Sequence, residues 1–431
     1  MSKTSFIFTG DSFITRRLPE NGYAGFKELS EIIKKYDVRF NNLEITVHDQ
    51  EGYPEALSGG TWAMTEPVVL DDLTRFGFNV YNTANNHSAD YGHGGLLATL
   101  KNLRERNLAC CGTGKNLAEA SAPTYLETAS SRVAVIGVCS SFHKNAVAGN
   151  SRIDMMGRPG LNPLSSNTTC QVTEEYFKVL QDIAEKTKLN AAMEKSIRNG
   201  YAPPLPEGKL NFGGLSFQLA DCNRLVTKPS EKDMQRISAS IREAGRQADY
   251  VIVSLHAHED EDGDESIPAE FIRIFAKACI DCGAHAIVGH GPHVLRGIEI
   301  YNGKPIIYSL GNFIFETETV SVQPADAYEK HSMPNTATVG EYMNNRSKNG
   351  TRGYGVQPNI WRAVMAGMTA ENGSITQLQL YPITLHMNEP SYRKGVPELS
   401  YNEWILEYLK ELSSPFGTEI SIVNGVGYIN L

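Results

Sequence analysis

The run His290-Gly291-Pro292-His293 sets two imidazoles three residues apart around a glycine and a proline. Such a tight turn can aim both rings at adjacent metal ions. Four more groups along the chain carry compatible chemistry: Asp11, Glu44, the pair Asn86-His87, and His256. All five follow short apolar runs, namely Phe6-Ile7-Phe8, Val38-Arg39-Phe40, Phe78-Asn79-Val80-Tyr81, Val251-Ile252-Val253-Ser254-Leu255 and Ala286-Ile287-Val288. Taken singly, most have an ordinary explanation. Gly10-Asp11 suits a turn or helix cap, Glu44 a solvated carboxylate, Asn85-Asn86-His87 a turn, and His256 a hydrogen-bonded core residue. Together they match what a two-metal hydrolytic centre needs: a bridging carboxylate, oxygen and imidazole ligands, and open positions for water and substrate. A mixed N/O set without thiolate suits Mn²⁺, Zn²⁺ or Fe and argues against a structural zinc site.

Residues so far apart in sequence converge only if their runs are buried strands of one α/β architecture that end on a common edge. The pattern between them agrees. Helical periodicity covers 26–36, 66–76, 94–108, 233–247 and 268–282, alternating with strand-like runs at 38, 78, 133–138, 250–255 and 286–288. Asn302-Gly303 between 297–301 and 305–310 predicts a hairpin with a type I′ turn, and strand runs follow at 363–369 and 376–382. Residues 141–231 interrupt the rhythm with a Gly/Pro/Asn-rich stretch, a helix near 173–198 and Pro203-Pro204-Leu205-Pro206. They read as an inserted lid or substrate-shaping subdomain, or as a surface decoration. Residues 316–358 read as a long mobile loop. Ser400-Tyr401-Asn402-Glu403 predicts a capping box for a last helix with an apolar face of Trp404, Ile405, Tyr408, Leu409 and Leu412.

Bulk composition excludes several classes. A chain of 431 residues buries a core without staples. Its net charge of −9 and lack of a dense Lys/Arg tract disfavour nucleic acid and anionic membranes as partners. The first strand follows Met1 so closely that no signal peptide is expected, nor any membrane segment, and a cytoplasmic location follows. Seven cysteines form no even disulfide framework. Cys279-Ile280-Asp281-Cys282 closes an apolar helical pattern and reads as buried helix, while Cys110-Cys111 opens a strand or loop.

Several blocks resemble the poly-γ-glutamate capsule synthesis (CapA-type) family, a branch of the calcineurin-like metallophosphoesterases. These are Gly10-Asp11, Asn42-Leu43-Glu44, Ala84-Asn85-Asn86-His87-Ser88-Ala89-Asp90-Tyr91-Gly92, His256, and Gly289-His290-Gly291-Pro292-His293-Val294-Leu295-Arg296-Gly297. The run Gly303-Lys304-Pro305-Ile306-Ile307-Tyr308-Ser309-Leu310-Gly311-Asn312-Phe313 matches the family's closing signature. The likeness spans residues about 5–115 and 235–320. It implies a four-layer α/β/β/α sandwich over 1–385, carrying the 141–231 insert, with 386–431 as an extension packed on the core.

The resemblance also implies roles. Asp11 and His293 would bind a first metal, Glu44 would bridge, and Asn86, His256 and His290 would hold a second. His87 would protonate the leaving group, with Arg16 or Arg296 stabilising negative charge. The chain departs from the usual pattern in having Asp11-Ser12-Phe13, without the family's histidine, and Glu rather than Asp at the bridge. His258 would replace a missing ligand, or Glu259 would support the ligands from behind; Arg296, His258 and Glu259 are also candidates for contacting substrate. The implied activity is metal-dependent hydrolysis of a phosphoester or amide on an anionic small molecule or polymer in capsule-related metabolism. The alternatives are a non-enzymatic accessory of a polymer-synthesis complex, or a mononuclear regulatory metal protein. Oligomeric state stays open.

Overall fold

Residues 3–431 are described by the computed structural model. Two sheets face each other. One has ten strands, in the order Ser421–Val423, Val426–Asn430, Ser374–Thr384, Arg362–Glu371, Lys3–Phe13, Val38–Leu43, Val80–Asn82 and Ala109–Cys111, with Asn312–Phe315 also pairing Lys3–Phe13 and Glu398–Leu399 pairing Ser374–Thr384. The other has six: Leu295–Tyr301, Lys304–Leu310, Ala286–His290, Tyr250–His256, Arg132–Cys139 and Thr124–Glu127.

Alternation along each strand assigns its two faces. Phe6, Phe8, Phe40 and Val80 of the first sheet meet Val133, Val135, Tyr250, Ile252 and Val288 of the second in one buried layer. Ile7 and Tyr81 point the other way, onto Leu29 and Ile33 of helix Phe26–Ile33 and Leu70, Leu73 and Phe76 of helix Val69–Phe76. On the far side Ala134, Ile136, Val251 and Val253 pack against Ile237 and Ile241 of helix Glu231–Gly245 and Phe271, Ile272 and Phe275 of helix Glu270–Asp281. This is the expected four-layer α/β/β/α order. Each fully buried aromatic in these layers contributes on the order of 2–3 kcal/mol of apolar burial.

Most anticipated elements are present with shifted ends. The Asn302-Gly303 turn has φ of 51° and 70°, with Tyr301 opposite Lys304, the two positive values that a type I′ hairpin requires. Cys279 lies buried in its helix and Cys282 caps it, Ala109–Cys111 is a strand, and all seven cysteines are free. Residues 141–231 build their own four-stranded sheet, ordered Lys209–Phe212, Leu215–Leu219, Ser166–Val172 and Arg224–Pro229, beside helices Glu174–Thr187 and Ala191–Arg198.

Three expectations are corrected. The 316–358 segment is not a bare loop: it contains helices Ala325–Lys330 and Val339–Ser347, because Ala327, Tyr328 and Tyr342 bury against Trp62, Met64 and Tyr91. A capping box does form there, on Thr338 and Glu341. The one expected at Ser400 does not form; Glu403 starts helix Trp404–Ser413 without a side-chain cap, and Asn402 Oδ1 instead accepts from Trp404 N at 3.0 Å. Beyond that helix, Val426–Asn430 pairs Ser374–Thr384, so the tail extends the ten-stranded sheet as well as packing on it. Among the described residues, no helix is long and apolar enough to cross a membrane.

Candidate metal centre

The inter-sheet layer turns polar at the carboxyl ends of its strands. Along one face, Phe40 gives way to Asn42, Val80 to Asn82, Ile252 to Ser254 and His256, and Val288 to His290. Parallel pairing sets His256 beside His290 in register. Asp11 arrives from the other sheet after a register shift between Phe8 and Asp11. Gly10 allows this approach: a Cβ there would lie 1.8 Å from the Gly311 carbonyl oxygen, which instead accepts from Asp11 N at 3.1 Å. His293 itself has φ 63°, a left-handed conformation uncommon outside glycine and often found at functional sites.

The heteroatoms converge. His256 Nδ1 lies 3.0 Å from His290 Nδ1 and 3.7 Å from Asp11 Oδ1; His290 Nδ1 is 3.6 Å from the same oxygen. On its other edge, His256 Nε2 stands 2.9 Å from Asn86 Oδ1, 3.1 Å from His258 Nε2 and 3.6 Å from Glu44 Oε1. His293 Nδ1 lies 3.6 Å from Asp11 Oδ2 and 3.9 Å from Glu44 Oε2. Three overlapping groups, Asp11/His256/His290, Glu44/His256/His258 and Asp11/Glu44/His293, each hold their ligand atoms within 4.8 Å of one another. Two ligands of one ion at ~2.1 Å stand roughly 3.0–3.5 Å apart. The observed spacings are close to that.

Electrostatics favour the same use. Asp11, Glu44, His256 and His290 are fully buried. Burial holds His256 well below its ordinary value, aided by the neighbouring His258, His290 and His293, and pushes His258 down to about 3 and His290 to about 4. Neutral imidazoles are the metal-ligating form. Burial, then the charges of Asp11 and Asp90, drives Glu44 well above the carboxylate range. Asp11 also suffers from burial, yet the nearby His293 and the charge of His290 hold it below the usual value. Neither carboxylate oxygen of Glu44 has a hydrogen-bond partner. An unsatisfied buried carboxylate costs several kcal/mol unless a cation or proton compensates. The residue set therefore fits divalent metal ions.

Supporting contacts fix the ligands. Asn42 Nδ2 donates to Asp11 Oδ1 at 2.7 Å and Gly291 N to Oδ2 at 3.0 Å, while Asn82 donates to Asn42. Ser254 Oγ meets His290 Nε2 at 2.7 Å, and Asn312 Oδ1 meets His293 Nδ1 at 2.9 Å. His87 sits beside the centre, its Nδ1 2.7 Å from Asp90 Oδ2 and its ring edge against Phe13. Asp90 in turn accepts from Gly59 N and Ala63 N.

Thus Asp11, Glu44, Asn86, His256, His290 and His293 lie together with His258, Asn86 at the Nε2 edge of His256 and His290 at its Nδ1 edge. The two arginines do not. Arg296 is buried and donates to the carbonyls of Ala257, His258, Glu259 and Glu265, which commits its guanidinium to bracing the 257–265 segment rather than to a substrate. Arg16 pairs with the buried Glu316 at 3.0 Å. Glu259 accepts from the Ser140 and Ser141 hydroxyls at 2.7 and 3.0 Å, holding the loop that carries His258 rather than a ligand atom. Asp90, Asn42, Ser254 and Asn312 were not anticipated. Ser254 was signalled only by its place two residues before His256, on the same strand face.

Comparison with known proteins decides the family. The model of the bacterial capsule synthesis protein PGA_cap matches residues 5–317. The chain belongs to this family. It is 32% identical to an uncharacterized protein of Sinorhizobium fredii over 99% of this chain and 93% of that one. It is 25% identical to the capsule biosynthesis protein CapA of Bacillus anthracis (78% of this chain, 66% of that one) and 26% identical to the PGA biosynthesis protein CapA of Bacillus subtilis (68% and 56%). The CapA-type family and its α/β metallophosphoesterase-like fold agree with the two-sheet architecture and the residue groups able to hold metal.

Proposed function

We propose that the protein is a metal-dependent hydrolase, dinuclear in its complete form, acting on a phosphoester or γ-glutamyl amide in capsule-related polymer metabolism. The observation that carries this reading is the orphaned, buried Glu44 carboxylate, faced by His256, His258 and His293 and adjoining Asp11. Asp11, Glu44, Asn86, His256, His290 and His293 would hold Mn²⁺, Zn²⁺ or Fe, with His258 in place of the family's missing histidine. The ions would supply an activated water and charge stabilisation.

The chain's own residues do the rest. Asp90 accepts from His87 Nδ1–H, which orients the ring so that in its doubly protonated form the Nε2 proton passes to the departing oxygen or nitrogen, leaving a neutral imidazole. Backbone donors from Gly59 and Ala63 hold Asp90 in place. Phe13 packs on His87 and limits its rotation. The 141–231 subdomain is assigned to shaping substrate access.

A non-enzymatic accessory role is the second reading, favoured by a 33% identity over 97 residues to a probable polyglutamine synthesis accessory protein of Mycobacterium tuberculosis. The His87–Asp90 pair favours the enzyme, since a binding pocket has no need of an oriented proton carrier. Elemental analysis with a screen of phosphomonoesters, phosphodiesters and γ-glutamyl peptides in added Mn²⁺ or Zn²⁺ tests the proposal. Turnover that is lost in Asn86→Ala supports it. Bound metal with no turnover on any class supports the accessory role.

A further inference from the structure

Segment 317–361 brings two arginines to the edge of the centre. A cavity of about 190 Å³ is lined by Arg346, Arg352, Tyr354, Glu318, Met343 and Thr317, among others. Two contacts tie it to the metal-ligand cluster. The Tyr354 ring lies edge-on to His293 with centroids 5.9 Å apart, and Phe315 bridges them, 4.9 Å from His293 and 5.0 Å from Tyr354. Arg346 hydrogen-bonds Thr61, two residues beyond Gly59, whose carbonyl accepts from Asn86 Nδ2 at 3.1 Å.

Charge in this cavity is unbalanced. Its one carboxylate, Glu318, is occupied by Lys394 at 2.6 Å. Among the described residues, no carboxylate lies within ion-pair distance of Arg346 or Arg352. Two guanidiniums in one small concavity repel each other unless an anion joins them, and a planar guanidinium fork suits an oxyanion.

We propose that Arg346 and Arg352 form a recognition site for an oxyanion of the substrate that does not react: a side-chain carboxylate of a γ-glutamyl chain or a second phosphate. This rests on the hydrolase reading for its setting, because the anion would be held while the neighbouring bond lies at the metals. Arg346 ties the site to the loop that holds Asn86 and His87, which couples anion binding to the positions of the metal ligand and the proton carrier.

Metal-stripped full-length protein, titrated calorimetrically with a short oligo-γ-glutamate and separately with tripolyphosphate, tests the site apart from catalysis. Wild type binds one of the probes, more weakly as salt rises, and Arg352→Glu and Arg346→Gln weaken that probe by roughly ten- to a hundredfold. Preference for the γ-glutamyl probe identifies a carboxylate; preference for tripolyphosphate identifies a phosphate. Arg352 is exposed, so its variant carries the test if Arg346→Gln misfolds. Wild type that binds neither probe, or variants that bind as wild type does, overturns the proposal. Mn²⁺ uptake by the same samples keeps the two ideas separate. Uptake with unchanged anion affinity removes only the arginine site, and no uptake with arginine-dependent anion binding removes only the hydrolase.

Discussion

His256 Nδ1 and His290 Nδ1 face each other at 3.0 Å inside a fully buried pocket, with Asp11 Oδ1 completing the triangle at 3.7 and 3.6 Å. Two neutral imidazoles in this position either share one proton or share a cation. The carboxylate oxygen at the third corner, the partnerless Glu44 nearby and the amide oxygen of Asn86 all favour the cation.

Metal should therefore stabilise the fold. Mn²⁺ or Zn²⁺ at a hundredfold excess over Kd adds about 2.7 kcal/mol, read as a rise in Tm, and chelation removes it. His256→Ala, which strips a ligand common to two of the three groups, should shrink the metal-dependent shift. A variant whose Tm rises with added metal as much as wild type's would place the ions elsewhere.

The His87–Asp90 pair separates proton delivery from metal binding. His87→Ala should lower kcat by about 10²–10⁴-fold while elemental analysis shows wild-type metal content. Asp90→Asn should shift the pH profile of kcat, since the ring loses the partner that fixes its tautomer. Unchanged turnover in His87→Ala would take that residue out of the reaction.

Glu316 sets a pH dependence of stability. Burial raises its carboxyl to about 7 from 4.5, against the opposing charge of Arg16. The folded protein thus holds a proton that the unfolded chain has already released, so stability declines as pH rises from 4.5 to about 7. Glu316→Gln should remove that decline. Parallel Tm-against-pH curves for the two proteins would contradict it.

Gly10 tests how the two sheets deliver Asp11. Gly10→Ala drives a methyl into the Gly311 carbonyl and should cost about 1–3 kcal/mol in denaturant unfolding. A stability equal to wild type would mean that the strand shifts freely.

Much of this arrangement was legible in the chain because buried strands announce themselves by apolar runs, and their ends by the polar residues that follow. Asp11, Glu44, Asn86, His256, His290 and His293 were readable for that reason. Arg296 was misread because a guanidinium beside a histidine motif looks like an anion clamp, whereas it donates four hydrogen bonds to carbonyls of the sequence-distant 257–265 segment. The helices within 317–361 were hidden as well. Their burial depends on Trp62 and Tyr91, distant partners that local periodicity does not disclose. The final strand, Val426–Asn430, was missed for a similar reason: its short run joins the sheet through the distant Ser374–Thr384 as well as its neighbour Ser421–Val423.

Crystals soaked in Mn²⁺, with anomalous diffraction recorded on both sides of the manganese edge, interrogate the centre most directly. Two peaks are predicted, one among Asp11, His256 and His290 and one among Asp11, Glu44 and His293. A map without a peak touching both Asp11 and Glu44 at saturating Mn²⁺ would contradict the shared metal centre.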